Sequence, residues 1–211
     1  MLRSEGKMAL SRGPISLKFP LMLTLSRIFI SPIFLIFYLK YQQLGICLTA
    51  LPLILICLLI FSELSDFFDG YLARKFGLVT ELGKILDPMA DSITRLTILL
   101  TFTQGLINLP LPLVFVFIYR DAMISTLRTV CAFRKVTLAA RTSGKIKAIL
   151  QAVSIFSILI LMVLYTWGMV PLTQLQHVSF VIVCVAAIYT VFSGAEYIWA
   201  NRFYIKQAWK Q

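Results

Sequence analysis

Acidic residues are scarce in this 211-residue chain, with nine Asp and Glu against twenty Lys and Arg. Charged residues of both signs make up only 14% of it, and His177 is the single histidine. A lone histidine without neighbouring partners is a poor basis for imidazole catalysis. The four cysteines (Cys47, Cys57, Cys131 and Cys184) are scattered without C-x-x-C spacing, which argues against a disulfide framework or a thiolate metal site. No internal repeat and no low-complexity linker occurs. Strand-like alternation is missing too, which removes a β-barrel. The basic excess is not interleaved with aromatics on a polar surface, so nucleic acid is not an expected partner.

What the chain has in abundance is apolar sequence. It is 59% hydrophobic, with a mean hydropathy of +0.88, which places it in the membrane class. Six segments approach the ~20 apolar residues that span a bilayer. They run from about Leu21 to Leu39, Leu44 to Phe68 (with helix continuing to Arg74), Gly83 to Phe102, Leu111 to Cys131, Ile146 to Trp167 and Leu175 to Trp199. The expected fold is therefore an all-α integral membrane protein with six transmembrane helices. Pro32 and Pro52 read as kinks inside helices. Asn108 to Pro112 and Gly168 to Pro171 read as turns.

Basic residues set the orientation. Arg3, Lys7, Arg12 and Lys18 precede the first span. Arg74, Lys75 and Lys84 lie between the second and third, and Arg134, Lys135, Arg141 and Lys145 between the fourth and fifth. Arg202, Lys206 and Lys210 follow the sixth. The alternate connections hold Lys40 alone. Both termini are thus expected in the cytoplasm. Residues 1–20 form a basic arm, either a short helix lying on the membrane surface or a flexible leader, with Gly13-Pro14 interrupting its pattern. No cleavage motif marks it as a signal peptide. Residues 21–202 make the membrane domain and residues 203–211 a basic tail. Excess positive charge also suits contact with anionic membrane lipids.

Six of the nine acids fall between Glu63 and Asp91. Asp69 follows Asp66 by three and Asp91 follows Asp87 by four, so each pair projects from one helix face. Carboxylates in membrane-length apolar segments are costly without a partner. Four on two facing helices call for a cation, and oxygen-only ligands favour Mg²⁺ or Mn²⁺. Gly70, Ala73 and Gly83 leave room beside the backbone for a nucleotide or phosphate, and Arg74 offers a forked phosphate contact. Asp91 is positioned to take a proton from a hydroxyl. Two competing readings exist: structural acids paired with Arg74, Lys75, Lys84 or Arg95, and a carboxylate-lined path for divalent-cation transport. Glu63 is either a supporting partner of the acids or a solvated helix residue.

The full spacing, Asp66-x2-Asp69-Gly70-x2-Ala73-Arg74-x8-Gly83-x3-Asp87-x3-Asp91, resembles the signature of the CDP-alcohol phosphatidyltransferase family at all eight specified positions. Leu23-Thr24-Leu25-Ser26-Arg27, Arg120-Asp121 through Ser125 to Arg128, and Gly144-Lys145-Ile146-Lys147 resemble the bacterial members that make phosphatidylglycerol phosphate. The resemblance implies a six-helix enzyme of the bacterial inner membrane, a homodimer with two divalent ions per subunit. It implies transfer of a phosphatidyl group from CDP-diacylglycerol to an alcohol, with release of CMP, at a cytoplasmic-side site. By position, Asp66, Asp69, Asp87 and Asp91 are the metal ligands and Asp91 the general base. Gly70, Ala73, Arg74, Gly83 and Thr24 fall on the CDP side. Ser92 departs from many of those bacterial members, which carry Lys there.

The remaining basic residues narrow the alcohol. Arg120 and Arg128 are eight apart, near one helix face, and Lys145, Lys147 and Arg27 join them at the cytoplasmic side. Such a cluster suits a second phosphate, as in sn-glycerol 3-phosphate. Asp121 stands beside Arg120 as an alternative counter-ion. Inositol phosphate, serine or phosphatidylglycerol remain the competing acceptors.

Overall fold

The computed structural model describes residues 14–75, 81–133 and 142–210; side chains at 14–26, 66, 69, 70, 72–74, 81–86, 132, 204 and 207–210 lie outside that description. Six helices follow in order: α1 (Pro14–Lys40), α2 (Leu51–Lys75), α3 (Glu81–Thr101), α4 (Leu111–Phe133), α5 (Thr142–Thr166) and α6 (Leu172–Lys210). Prolines explain several of these boundaries. Pro14 is the first residue of α1, where its missing N–H is not needed and its fixed φ suits the helix. Pro52 is the second residue of α2 and Pro112 the second of α4. Pro52 thus starts a helix rather than kinking one, and the Leu44 segment ahead of it forms turns. Pro32 does lie inside α1, and Pro88 lies inside α3, directly after Asp87.

The helices pack as a closed ring. Around it, α1 touches α2, α2 touches α5, α5 touches α6, α6 touches α4, α4 touches α3, and α3 returns to α1; α3 also crosses the middle to α5. Among the described residues, consecutive helices α2 and α3 do not pack directly. Inward stripes follow helical spacing. On α1 it is Arg27, Ser31, Phe34 and Tyr38; on α5 it is Ser143, Lys147, Gln151, Ser154, Ile158 and Met162. On both helices the stripe is polar toward the N-terminal half and apolar beyond. Phe34 and Tyr38 each meet Phe102 edge-on, at 5.9 and 5.8 Å between ring centroids.

The α3–α4 turn closes the apolar end. Tyr38 Oη donates to the Gln104 carbonyl at 3.0 Å and accepts from the Ile107 amide at 3.1 Å. Gly105 sits in that turn at φ 68°, and a Cβ there would come 3.1 Å from the Tyr38 ring. Both the left-handed backbone and the close ring call for glycine.

Two helices are long and apolar enough to cross a membrane, over Thr142–Thr166 and Leu172–Phe203, among the described residues. α6 is longer than the sequence pattern indicates. Its 39 residues span roughly 58 Å at the α-helical rise, so the tail expected at residues 203–211 continues the helix to Lys210. His177 lies within its second turn. Of the arm expected over residues 1–20, residues 1–13 lie outside the described residues and residues 14–20 belong to α1.

Candidate active site

The α3 half of the acidic motif is held by α1. Arg27 is 2% exposed. Its Nη1 donates to Asp91 Oδ1 at 2.5 Å, and its Nη2 lies 3.6 Å from Asp87 Oδ1. A buried guanidinium demands carboxylate partners, and its planar fork suits two of them on successive turns of one helix. Thr94 adds a bond from its Oγ1 to the Arg27 carbonyl at 3.3 Å. Asp87 and Asp91 nonetheless keep 47% and 33% of their side-chain surface accessible. They are anchored and still reachable. The sequence pattern suggests an acceptor phosphate for Arg27; the structure sets its guanidinium on these two acids.

A crevice opens beside them. Arg27, Ser62, Glu63, Asp91, Thr94 and Arg95 line it, and α5 closes its far wall. It occupies the space that the unpacked α2 and α3 leave between them. Arg95 spans the gap, with Nη2 3.9 Å from Glu63 Oε1 on α2 and Nη1 donating to the Ala148 carbonyl on α5 at 3.3 Å. Glu63 therefore partners Arg95, not a motif acid. On α2, Asp66 follows Ser62 by one turn and Asp69 lies nearly one further. The side chains of Asp66, Asp69, Gly70, Ala73 and Arg74, and those of Thr24 and Gly83, lie outside the described residues. Among the described residues no three Asp, Glu, His or Cys gather into a metal cluster. The described part of the donor set is carboxylate oxygen alone, on one helix face and open to solvent, which fits a hard divalent ion.

A second charged cluster adjoins the first. Lys147 Nζ donates to both carboxylate oxygens of Asp121, at 2.9 and 2.8 Å. Arg120 Nη1 reaches Asp121 Oδ1 at 3.1 Å, and its Nη2 donates to Ser193 Oγ at 2.9 Å. Ser92 Oγ donates to Asp121 Oδ2 at 2.8 Å. Arg120 and Lys147, paired in sequence reasoning as phosphate binders, thus meet around one carboxylate. Arg128 of α4 stands apart from it and turns to α6, its Nε donating to Tyr197 Oη at 3.1 Å and its guanidinium 5.3 Å from that ring's centroid. Lys145 is exposed. Ser92 stands out in the sequence only as a departure from a Lys; Ser193 and Tyr197 are not singled out there. Their signal is polar residues at one-turn spacing on otherwise apolar helices, as Thr190, Ser193, Tyr197 and Asn201 show on α6.

Comparison with known proteins decides the family. The family model described as CDP-alcohol phosphatidyltransferase matches residues 17–192. The chain belongs to the CDP-alcohol phosphatidyltransferase family. It is 33% identical to a Rickettsia typhi protein named CDP-diacylglycerol–glycerol-3-phosphate 3-phosphatidyltransferase, over 88% of this chain and 97% of that one. A Bacillus subtilis protein of the same name is 33% identical over 86% of this chain and 94% of its own. A Yersinia enterocolitica protein, again with that name, is 29% identical over 93% and 97%. Phosphatidyltransferases of this family generally use divalent metal ions, in keeping with the exposed carboxylate pair on α3.

Proposed function

We propose that this phosphatidyltransferase transfers the phosphatidyl group of CDP-diacylglycerol to sn-glycerol 3-phosphate, giving phosphatidylglycerol phosphate and CMP. The observation that carries the reading is the Asp87–Asp91 pair, fixed by a buried arginine yet open to solvent, at the end of an eight-residue family motif. The relatives' shared name supplies the acceptor.

In this reading Asp66, Asp69, Asp87 and Asp91 hold two divalent ions, Mg²⁺ or Mn²⁺. When bound, such ions neutralise the diphosphate and stabilise the leaving CMP. Gly70, Ala73, Gly83, Arg74 and Thr24 receive the CDP moiety. Arg120, Arg128, Lys145 and Lys147 face the acceptor's phosphate. Asp91 accepts the proton of the acceptor hydroxyl, whose oxygen forms a new bond to the lipid-linked phosphorus as the bond to CMP breaks. Arg27 holds one Asp91 oxygen and so fixes where the other points.

The membrane setting follows from the surface. Ile188 and Phe192 on α6 are 71% and 60% exposed, a cost in water that lipid removes. We read all six helices as spans, with both termini and the site on the cytoplasmic side of a bacterial inner membrane, and the enzyme as a homodimer. The diacyl chains then stay in the bilayer throughout.

The test is CMP release by purified protein from CDP-diacylglycerol, with a panel of alcohols and with chelator. Release with glycerol 3-phosphate, lost on chelation and restored by Mg²⁺ or Mn²⁺, is expected. Release only with serine, inositol phosphate or phosphatidylglycerol would change the acceptor. Cation flux into sealed vesicles without any CMP would replace the enzyme by a transporter.

A further inference from the structure

Asp121 lies outside the eight-residue motif and has no part in the reaction above. It is 13% exposed and joins three helices. Ser92 of α3, Arg120 of α4 and Lys147 of α5 all donate to it. Through Arg120 the chain of contacts continues to Ser193 of α6. The space around Arg120 is shaped for this course. A Cβ on Gly194 would come 3.2 Å from Arg120 Cγ, and one on Gly144 would come 3.6 Å from its Nη2.

The charges within this triad do not cancel. Two cations meet one carboxylate, so a net positive charge remains in a nearly buried place. Arg120 Nε is buried there without an acceptor among the described residues, as are the Ser143 hydroxyl and the Gln151 amide nitrogen on the same face of α5 as Lys147. Buried donors left unmet are costly. A cluster with spare donors and spare positive charge is therefore still able to take an anion, even though Asp121 occupies part of it.

We infer that Asp121 is a positioning residue: it pins the Arg120 and Lys147 cations at fixed points and, through Ser92, ties them to Asp91, the preceding residue of α3. This rests on the proposed acceptor, whose phosphate those two cations would meet. Ser92 thereby has a role of its own. It couples the acceptor's phosphate site to the helix that carries the proposed base.

The inference has a sign that separates it from simple neutralisation. Were Asp121 only a counter-charge, removing it would free two cations and lower the KM for glycerol 3-phosphate. As a positioning residue its loss lets like charges separate, and KM rises. Asp121→Asn is expected to raise the glycerol 3-phosphate KM roughly ten- to hundredfold, by analogy with the loss of groups that orient metal-binding side chains, with the CDP-diacylglycerol KM unchanged. Ser92→Ala should raise it severalfold, while Ser92→Thr, which keeps a hydroxyl, should stay near wild type. As a binding readout, glycerol 3-phosphate should raise the thermal midpoint of wild type and Ser92→Thr but not of Asp121→Asn. A lowered or unchanged KM in Asp121→Asn overturns the inference, as does equal loss for both substrates. Should Asp121→Asn fail to fold, indistinguishable Ser92→Ala and Ser92→Thr enzymes overturn it. Wild type is assayed first, so absent CMP release with glycerol 3-phosphate removes the acceptor itself and is distinct from any variant effect.

Discussion

The two ends of the helix ring are built from different materials. At one end the inward positions carry Phe34, Tyr38, Leu51, Leu55, Phe102, Phe117, Ile158, Leu159 and Met162, all buried. At the other the same stripes carry Arg27, Asp91, Thr94, Asp121, Ser143, Lys147, Gln151 and Ser193. Apolar side chains interdigitate without strict geometry, so one end holds the bundle by volume and close contact. Charged side chains tolerate burial only with placed partners, so the other end holds itself by a few directed bonds. The crevice beside α2 and α3 lies at that end, lined by the paired charges of Arg27 with Asp91 and Arg95 with Glu63. In the proposed reading, substrate chemistry belongs at the directed end, where arriving cations would offset the cost of gathering carboxylates.

That contrast is breakable from either side. The largest effect is expected from Asp91→Asn, which removes the proposed base and a motif ligand together. CMP release should fall by about 10²–10⁴-fold, with helix content by circular dichroism intact. Activity within a fewfold of wild type would take chemistry away from this end. Phe102→Ala, at the apolar end, should do the reverse. It empties a fully buried site packed by two aromatic rings and should cost about 3–5 kcal/mol of stability. It should lower the thermal midpoint in detergent while leaving the metal requirement of the surviving activity unchanged. A smaller loss, about 1–2 kcal/mol, is expected for Gly105→Ala, from left-handed backbone strain at the turn that Tyr38 fastens. Its midpoint should drop less than that of Phe102→Ala; an equal or larger drop would mean that the turn, not the aromatic contact, holds that end.

Much of the apolar end was legible in the sequence, since long hydrophobic runs separated by Asn108–Pro112 and Gly168–Pro171 leave little choice of helix number. The boundaries were less legible. Pro52 inside an apolar run reads as a kink, because hydropathy continues smoothly across the turns at Leu44 and the start of α2. α6 runs on to Lys210 because its last turns carry Ala, Arg, Lys and Gln, which are sound helix formers, and no Gly or Pro, whereas hydropathy registers only the apolar part. At the directed end, the motif acids were legible because their spacing is local. Their partners were not. Arg27 pairs with Asp91 across 64 residues and Ser92 with Asp121 across 29, and no spacing rule in one chain relates such positions. Arg27 and Lys147 look alike in sequence, as basic residues near a cytoplasmic border, yet one faces the motif acids and the other faces Asp121.

The claim on which the rest stands is that acids of α2 and α3 share divalent ions. Mn²⁺ titration of the purified, metal-stripped protein, followed by electron paramagnetic resonance, measures it without reference to turnover. Wild type should take up Mn²⁺ saturably, and Asp66→Asn and Asp87→Asn should each weaken that uptake, since one alters α2 and the other α3. Uptake unaltered in both variants, or lost with one helix's acid and indifferent to the other's, would contradict a shared site.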